Sequence, residues 1–177
     1  MNENIERILL SSEQIQRRIA ELGTAISRDF AGRDPLFVGI LKGSFIFMAD
    51  LVRQVDIPCN VDFMAVSSYG DRVVSTGAVK INKDLSETAE GRHLILVEDI
   101  LDTGLTLSYL KKYLLNRLPA SVSIVTLLDK PSRRAAPVEA DYRGFEVPDA
   151  FVVGYGLDYA EGYRNLPYIG VLKESAI

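Results

Sequence analysis

The chain has 177 residues, 47% of them apolar and 25% charged, which is enough for one globular domain with its own core and too little for two of ordinary size. A chain of this length buries roughly 70% of its unfolded surface and folds without staples; its single cysteine, Cys59, and single histidine, His93, could form neither an internal disulfide nor a Cys/His zinc site. Twenty Lys and Arg against 24 Asp and Glu give a net charge of −4, with the basic residues scattered in short pairs, which excludes the basic face of non-specific nucleic-acid binding but not a small anion held by backbone amides.

The longest apolar run, 45–49, is far short of the ~20 residues that cross a bilayer. The first residues are acidic and polar, unlike an export signal, so the expected setting is a reducing cytoplasm with no membrane contact.

In chain order, Ile15, Ile19, Leu22, Ile26 and Phe30 fall at helical spacing behind Ser11 and Gln14, a capping box, and predict an amphipathic helix. Residues 36–41 predict a short buried strand running into Lys42-Gly43-Ser44, then a helix over 44–55. The alternating stretch 61–66 is a strand that ends in the polar, glycine-bearing segment 67–77, and 78–82 returns from it. Residues 93–97 form a continuous apolar run, as a central strand of a parallel sheet requires. A helix over 105–118 is stopped by Pro119, a strand follows over 122–128, and short strands are expected at 151–155 and 168–172. Strands alternating with helices predict an α/β fold on a mostly parallel sheet, with ligands at the carboxyl ends of its strands.

The chemistry concentrates in Val97 to Leu107, where Glu98, Asp99 and Asp102 place three carboxylates directly after a buried strand and before a helix. Mutual repulsion makes such a cluster costly unless it faces a metal, a cation or hydroxyl donors. The adjoining Thr103, Gly104, Leu105 and Thr106 can offer backbone N–H groups to a phosphate at the helix N-terminus. A ligand that is both sugar diol and phosphate satisfies both halves. The plainer reading is that Asp102 or Thr103 caps the helix while Glu98 and Asp99 sit in a solvated loop. An aspartate-rich magnesium motif does not suit a strand-turn-helix setting, and neither a Walker loop nor a Gly-x-Gly-x-x-Gly turn is present.

Val97 to Leu107 resembles the phosphoribosyl-diphosphate loop of type I phosphoribosyltransferases. Leu41-Lys42-Gly43-Ser44, Ser67-Ser68-Tyr69-Gly70, Leu128-Asp129-Lys130-Pro131 and the run from Phe151 to Tyr159 are similar to the bacterial hypoxanthine phosphoribosyltransferase branch. The resemblance runs in order from about residue 36 to 172 and implies one phosphoribosyltransferase domain over 1–177, with a small hood beside the central sheet. It implies transfer of a phosphoribosyl group from phosphoribosyl diphosphate to hypoxanthine, and to guanine, with Mg²⁺ present, in a homodimer or homotetramer. Asp102 would be the general base facing purine N7, and Asp102 to Thr106 would hold the 5′-phosphate. Glu98 and Asp99 would take the ribose hydroxyls, directly or through the metal, and Asp158 would bind Mg²⁺. Lys42, Gly43 and Arg164 would meet pyrophosphate, with a cis peptide before Lys42. Lys130 would donate to the 6-oxo group, Phe151 would stack on the purine, and Val152 would meet its edge. Ser68 and Tyr69 would belong to a closing lid. At Gly162 the family often carries a longer basic residue. A preference for xanthine or guanine, or a regulator that senses phosphoribosyl diphosphate without catalysis, stays open as an alternative.

Overall fold

The computed structural model describes residues 2–68 and 79–177. Among them the chain builds two sheets, because two sets of strands face different partners. The larger has six strands in the order β4 (Val79–Lys83), β3 (Asn60–Ser68), β2 (Leu36–Leu41), β5 (His93–Leu101), β6 (Ser121–Asp129) and β7 (Tyr142–Glu146). All neighbours are parallel except β3 and β4, which pair antiparallel across Ser67↔Lys80 and Ser68↔Val79. From β2 the chain steps outward through β3, and from β5 it steps the other way through β6 and β7. The carboxyl ends of β2 and β5 therefore flank a topological switch point, the usual ligand position of an open α/β sheet.

Each sheet face is buried, so its central strands read as unbroken apolar runs. Phe37, Ile95, Val97 and Val125 pack on one face with α1 (Ser12–Asp29) and α2 (Phe45–Val52). Leu36, Val38, Leu94 and Leu96 pack on the other with α3 (Leu105–Leu115). The Ser11 capping box is present in both directions, which explains why α1 starts where the sequence predicts. The smaller, antiparallel sheet has the order β1 (Ile5–Leu10), β9 (Ile169–Leu172), β8 (Val152–Val153) and rests on the α1 side of the core.

Several expectations are corrected. The second helix ends at Val52 rather than 55, and α3 ends at Leu115 rather than 118. The strand expected to stop at Val97 continues through Leu101, carrying Glu98 and Asp99 on a strand and not in a solvated loop. The strand expected over 151–155 reduces to Val152–Val153. Strands β1 and β7 were not anticipated; both lie at sheet edges and carry charged residues, so their hydrophobic signal is weak.

Candidate active site

At the carboxyl end of β5 a cleft of about 220 Å³ is lined by Leu41, Val66, Glu98, Asp99, Asp102 and Thr106, among others. Glu98 and Asp99 are half-buried neighbours, and both carboxyls are pushed above the ordinary range. Burial is the main cause in each; for Glu98 the Asp99 charge adds to it, and for Asp99 a hydrogen bond with the Glu98 carboxyl, then the Ile100 N–H donating at 2.7 Å, and last the Arg164 charge, offset it only in part. A carboxylate pair in this state is relieved by a cation or by hydroxyl donors.

Beyond Asp102 the chain turns through Gly104, at φ +78, into α3. Gly104 is the N-cap residue and supplies no side-chain cap, and neither Asp102 nor Thr103 caps in its place, apart from a long 3.5 Å contact from Leu105 N–H to Thr103 Oγ1. Of the plainer reading of this loop as an ordinary helix cap only that long Thr103 contact remains, which leaves other N–H groups of the first turn of α3 without a side-chain cap. The loop is stitched from behind. Ala135 N–H and Ala136 N–H donate to Thr103 O at 2.9 and 3.1 Å, Lys130 N–H donates to Leu101 O at 3.0 Å, and Arg134 donates to the carbonyls of Leu101 and Asp102 while pairing with the fully buried Asp129. The Asp102 carboxylate faces Arg133, whose Nε donates to Oδ1 at 2.7 Å. Neither Arg133 nor Arg134 is among the expected site residues; the groups they meet on the β5 loop, Asp102 and Leu101, lie 31 to 33 positions away and leave no local signal.

At the end of β2 the peptide between Leu41 and Lys42 is cis. Gly43 is there for lack of room: a Cβ on it would lie 1.6 Å from Asp99 Oδ2. On its other side a Cβ on Gly156 would lie 2.1 Å from the Gly43 carbonyl oxygen, so three segments interlock at atoms that only glycine supplies. The Gly156 segment turns sharply, with Tyr155, Ala160, Glu161 and Tyr163 all at positive φ, a backbone region that costs such residues of order 1–3 kcal/mol each. Hydrogen bonds from Tyr155 N–H to Leu166 O and from Gly156 N–H to Arg164 O hold it in place. Asp158 accepts from Glu161 N–H at 2.9 Å and pairs with Arg164 at 2.9 Å. Lys42 Nζ reaches both oxygens of Glu161, at 3.0 and 3.1 Å. Glu161 was not among the expected site residues; its carboxyl is held low chiefly by Lys42 and then by Arg164.

After β6, Lys130 is only 7% exposed, with Nζ donating to Ala150 O at 2.7 Å, so it is not a solvated surface lysine. Phe151 is 42% exposed and sits edge-on to Tyr159 at 5.4 Å, while Val152 is buried in the small sheet. Phe151 is therefore partly open to solvent and follows directly on the residue whose carbonyl the Lys130 ammonium holds. Ser68 ends β3, and Tyr69 lies outside the described residues.

The described residues hold no group of three or more His, Cys, Asp or Glu placed to bind a metal. The raised Glu98–Asp99 pair nonetheless fits Mg²⁺, which is commonly held by one or two carboxylates with the remaining positions filled by substrate oxygens and water. Among the described residues no helix is long and apolar enough to cross a membrane.

This geometry has close counterparts. The phosphoribosyl transferase domain model matches residues 7–160. The chain is 57% identical over 173 residues to the hypoxanthine-guanine phosphoribosyltransferase of Bacillus subtilis, covering 98% of this chain and 96% of that protein. It is 50% identical over 174 residues to the enzyme of the same name from Streptococcus pneumoniae, covering 98% and 97%. A crystal structure of a hypoxanthine phosphoribosyltransferase from Staphylococcus aureus superposes with a TM-score of 0.97 at 49% identity, covering 99% of this chain and 96% of that one. The chain belongs to the phosphoribosyl transferase family, in its hypoxanthine-guanine phosphoribosyltransferase branch.

Proposed function

We propose that this protein is a purine-salvage enzyme that moves the 5-phosphoribosyl group from phosphoribosyl diphosphate to hypoxanthine or guanine and releases pyrophosphate. The observation that supports the reading is that the carboxyl ends of β2, β5 and β6 carry, in turn, a loop cation paired to the Arg164 turn, a stressed carboxylate pair before a helix start that could take a phosphate, and a buried lysine near a partly exposed aromatic ring.

The roles follow from what each group can do. Backbone N–H groups over 102–106 take the 5′-phosphate, and the helix dipole favours its charge. Glu98 and Asp99 accept from the ribose hydroxyls or hold Mg²⁺, with Asp158 as a further carboxylate for the metal; the ion supplies charge neutralisation for the departing pyrophosphate. Lys42, the Gly43 backbone and Arg164 hold the diphosphate. Lys130 donates to the 6-oxo oxygen, Phe151 covers the ring, and Val152 meets its edge through backbone atoms. Asp102 accepts the proton of the purine as the base bonds C1′ and the C1′–oxygen bond to pyrophosphate breaks, a contribution of roughly 10²–10⁴ in rate. Ser68 and Tyr69 belong to the segment that the resemblance assigns to covering the reacting centre. A cytoplasmic homodimer or homotetramer is the setting that the resemblance carries.

Pyrophosphate release measured with phosphoribosyl diphosphate, Mg²⁺ and each base in turn tests the reaction. Hypoxanthine and guanine are expected to turn over; turnover of none, with phosphoribosyl diphosphate still bound, would instead favour a regulator. Adenine is expected to fail, because its 6-amino group would meet Lys130 donor to donor, and a site built on such a hydrogen bond rejects the mismatched base by up to ~10⁴-fold. In Lys130→Met hypoxanthine use is expected to fall and the gap between the two bases to narrow. An unchanged kcat/KM ratio would mean that another group reads position 6.

A further inference from the structure

Lys42 and Arg164 come from different loops, yet both reach one carboxylate. Lys42 Nζ lies 3.0 and 3.1 Å from the two oxygens of Glu161, and Arg164 Nη2 lies 3.3 Å from Oε2. A single two-oxygen anion thus bridges the cations assigned above to the diphosphate. The backbone gains nothing from a glutamate there: Glu161 sits at φ +64, where Gly or Asn would be less strained. Arg164 is not saturated by this arrangement. Its Nη1 donates to Gly156 O at 2.8 Å and its Nη2 pairs with Asp158, while Nε is buried without a protein partner among the described residues.

We infer that Glu161 is an internal stand-in for pyrophosphate, occupying Lys42 and Arg164 in the free enzyme and giving way when the diphosphate binds. This rests on the reading of Lys42 and Arg164 as diphosphate ligands. Two bare cations would hold a diphosphate tightly in substrate and product alike, and slow product release then limits turnover. A competing carboxylate on a fixed turn weakens both ground states equally and speeds release. Both ion pairs are solvent-exposed at the Glu161 end, 66% by side chain, so the competition is modest.

The test is isothermal titration of Mg²⁺-pyrophosphate into Glu161→Gln, which keeps the shape and removes the charge. Affinity is expected to rise about 3- to 10-fold, the scale of two exposed ion pairs, and the pyrophosphate dissociation rate in stopped flow to fall by the same factor. A purely structural role for Glu161 predicts the opposite sign, because a loosened turn would weaken binding. Unchanged or weaker binding overturns the inference, as does equal tightening in Glu90→Gln, which removes the same charge beside the amino end of β5, away from the cleft. Lys42→Met and Arg164→Gln separate this inference from the reading beneath it: if neither weakens pyrophosphate, those cations are not its ligands. If both weaken it while Glu161→Gln does not tighten it, only the stand-in fails.

Discussion

The two regions proposed above to hold anions, the loop after β5 and the place where the loop after β2 meets the Gly156 turn, are built on different physical plans. At the end of β5 the donors are backbone N–H groups at a helix start, neutral and fixed by the stitching of Thr103, Leu101 and Asp102 to the segment 130–136. At the end of β2 the donors are the side chains of Lys42 and Arg164, which already share Glu161 and Asp158. Backbone dipoles need no counterion and lose no side-chain entropy, so the first end can hold a phosphate throughout the reaction. Full charges need partners when the ligand is gone, so the second end carries its own carboxylates and suits a group that must leave. On the function proposed above, the difference divides binding and release between the two ends by donor type.

The largest expected effect comes from breaking the chemistry while sparing both ends. Asp102→Asn keeps the shape of the loop but removes the base, and kcat is expected to fall by roughly 10²-fold or more with phosphoribosyl diphosphate affinity largely kept. Near-normal turnover in steady-state assays would remove Asp102 from that role.

A second substitution strikes the β2 end where it presses on Asp99 of β5. In Gly43→Ala the new methyl would overlap Asp99 Oδ2, so either the carboxylate or the loop must shift. Displacements near 1 Å can cost ~10²-fold; pyrophosphate affinity is expected to drop by about 10- to 100-fold, while the nucleoside monophosphate product, whose phosphate is held by the β5 end and whose ribose alone meets the displaced Asp99, is expected to lose less. Equal losses for both ligands would show that the ends are not independent.

The smallest effect concerns the carboxylates between the ends. Because the folded-state pKa of Glu98 lies above its ordinary value, the folded state carries a penalty at neutral pH that disappears once the group is protonated in both folded and unfolded chains. Glu98→Gln is therefore expected to raise Tm at pH 7–8, in metal-free buffer without substrate, by about 2–4 °C. The gain should shrink as the pH falls through the folded-state pKa and vanish near pH 4. A variant that melts at or below the wild type at pH 8 would mean that the pair is not strained in the free protein.

Local patterns sufficed for much of the frame. Helical spacing with a capping box placed α1, an apolar run placed β2 at the residues observed, and the alternation of strands and helices pointed to the carboxyl ends of the strands in general; the strand order singles out β2 and β5. The residue types over 98–106 were enough to call for a diol beside a phosphate, because carboxylates, hydroxyls and a glycine in that order suit little else.

What the sequence could not decide is what depends on residues far apart in the chain. Edge strands β1 and β7 have no self-sufficient pattern, since their ladders are completed by β9 and β6. Lys130 reads alone as an exposed cation, and only the packing of β6 against the Ala150 turn makes it a buried donor. Glu161 carries no signal between Ala160 and Gly162; its meaning comes from Lys42, 119 positions away. Propensity and periodicity are properties of neighbours in sequence, and they specify elements. Steric exclusion and charge pairing act between neighbours in space, so the interlock of Gly43, Asp99 and Gly156, and the sharing of cations around it, exist only once the sheet has brought those loops together.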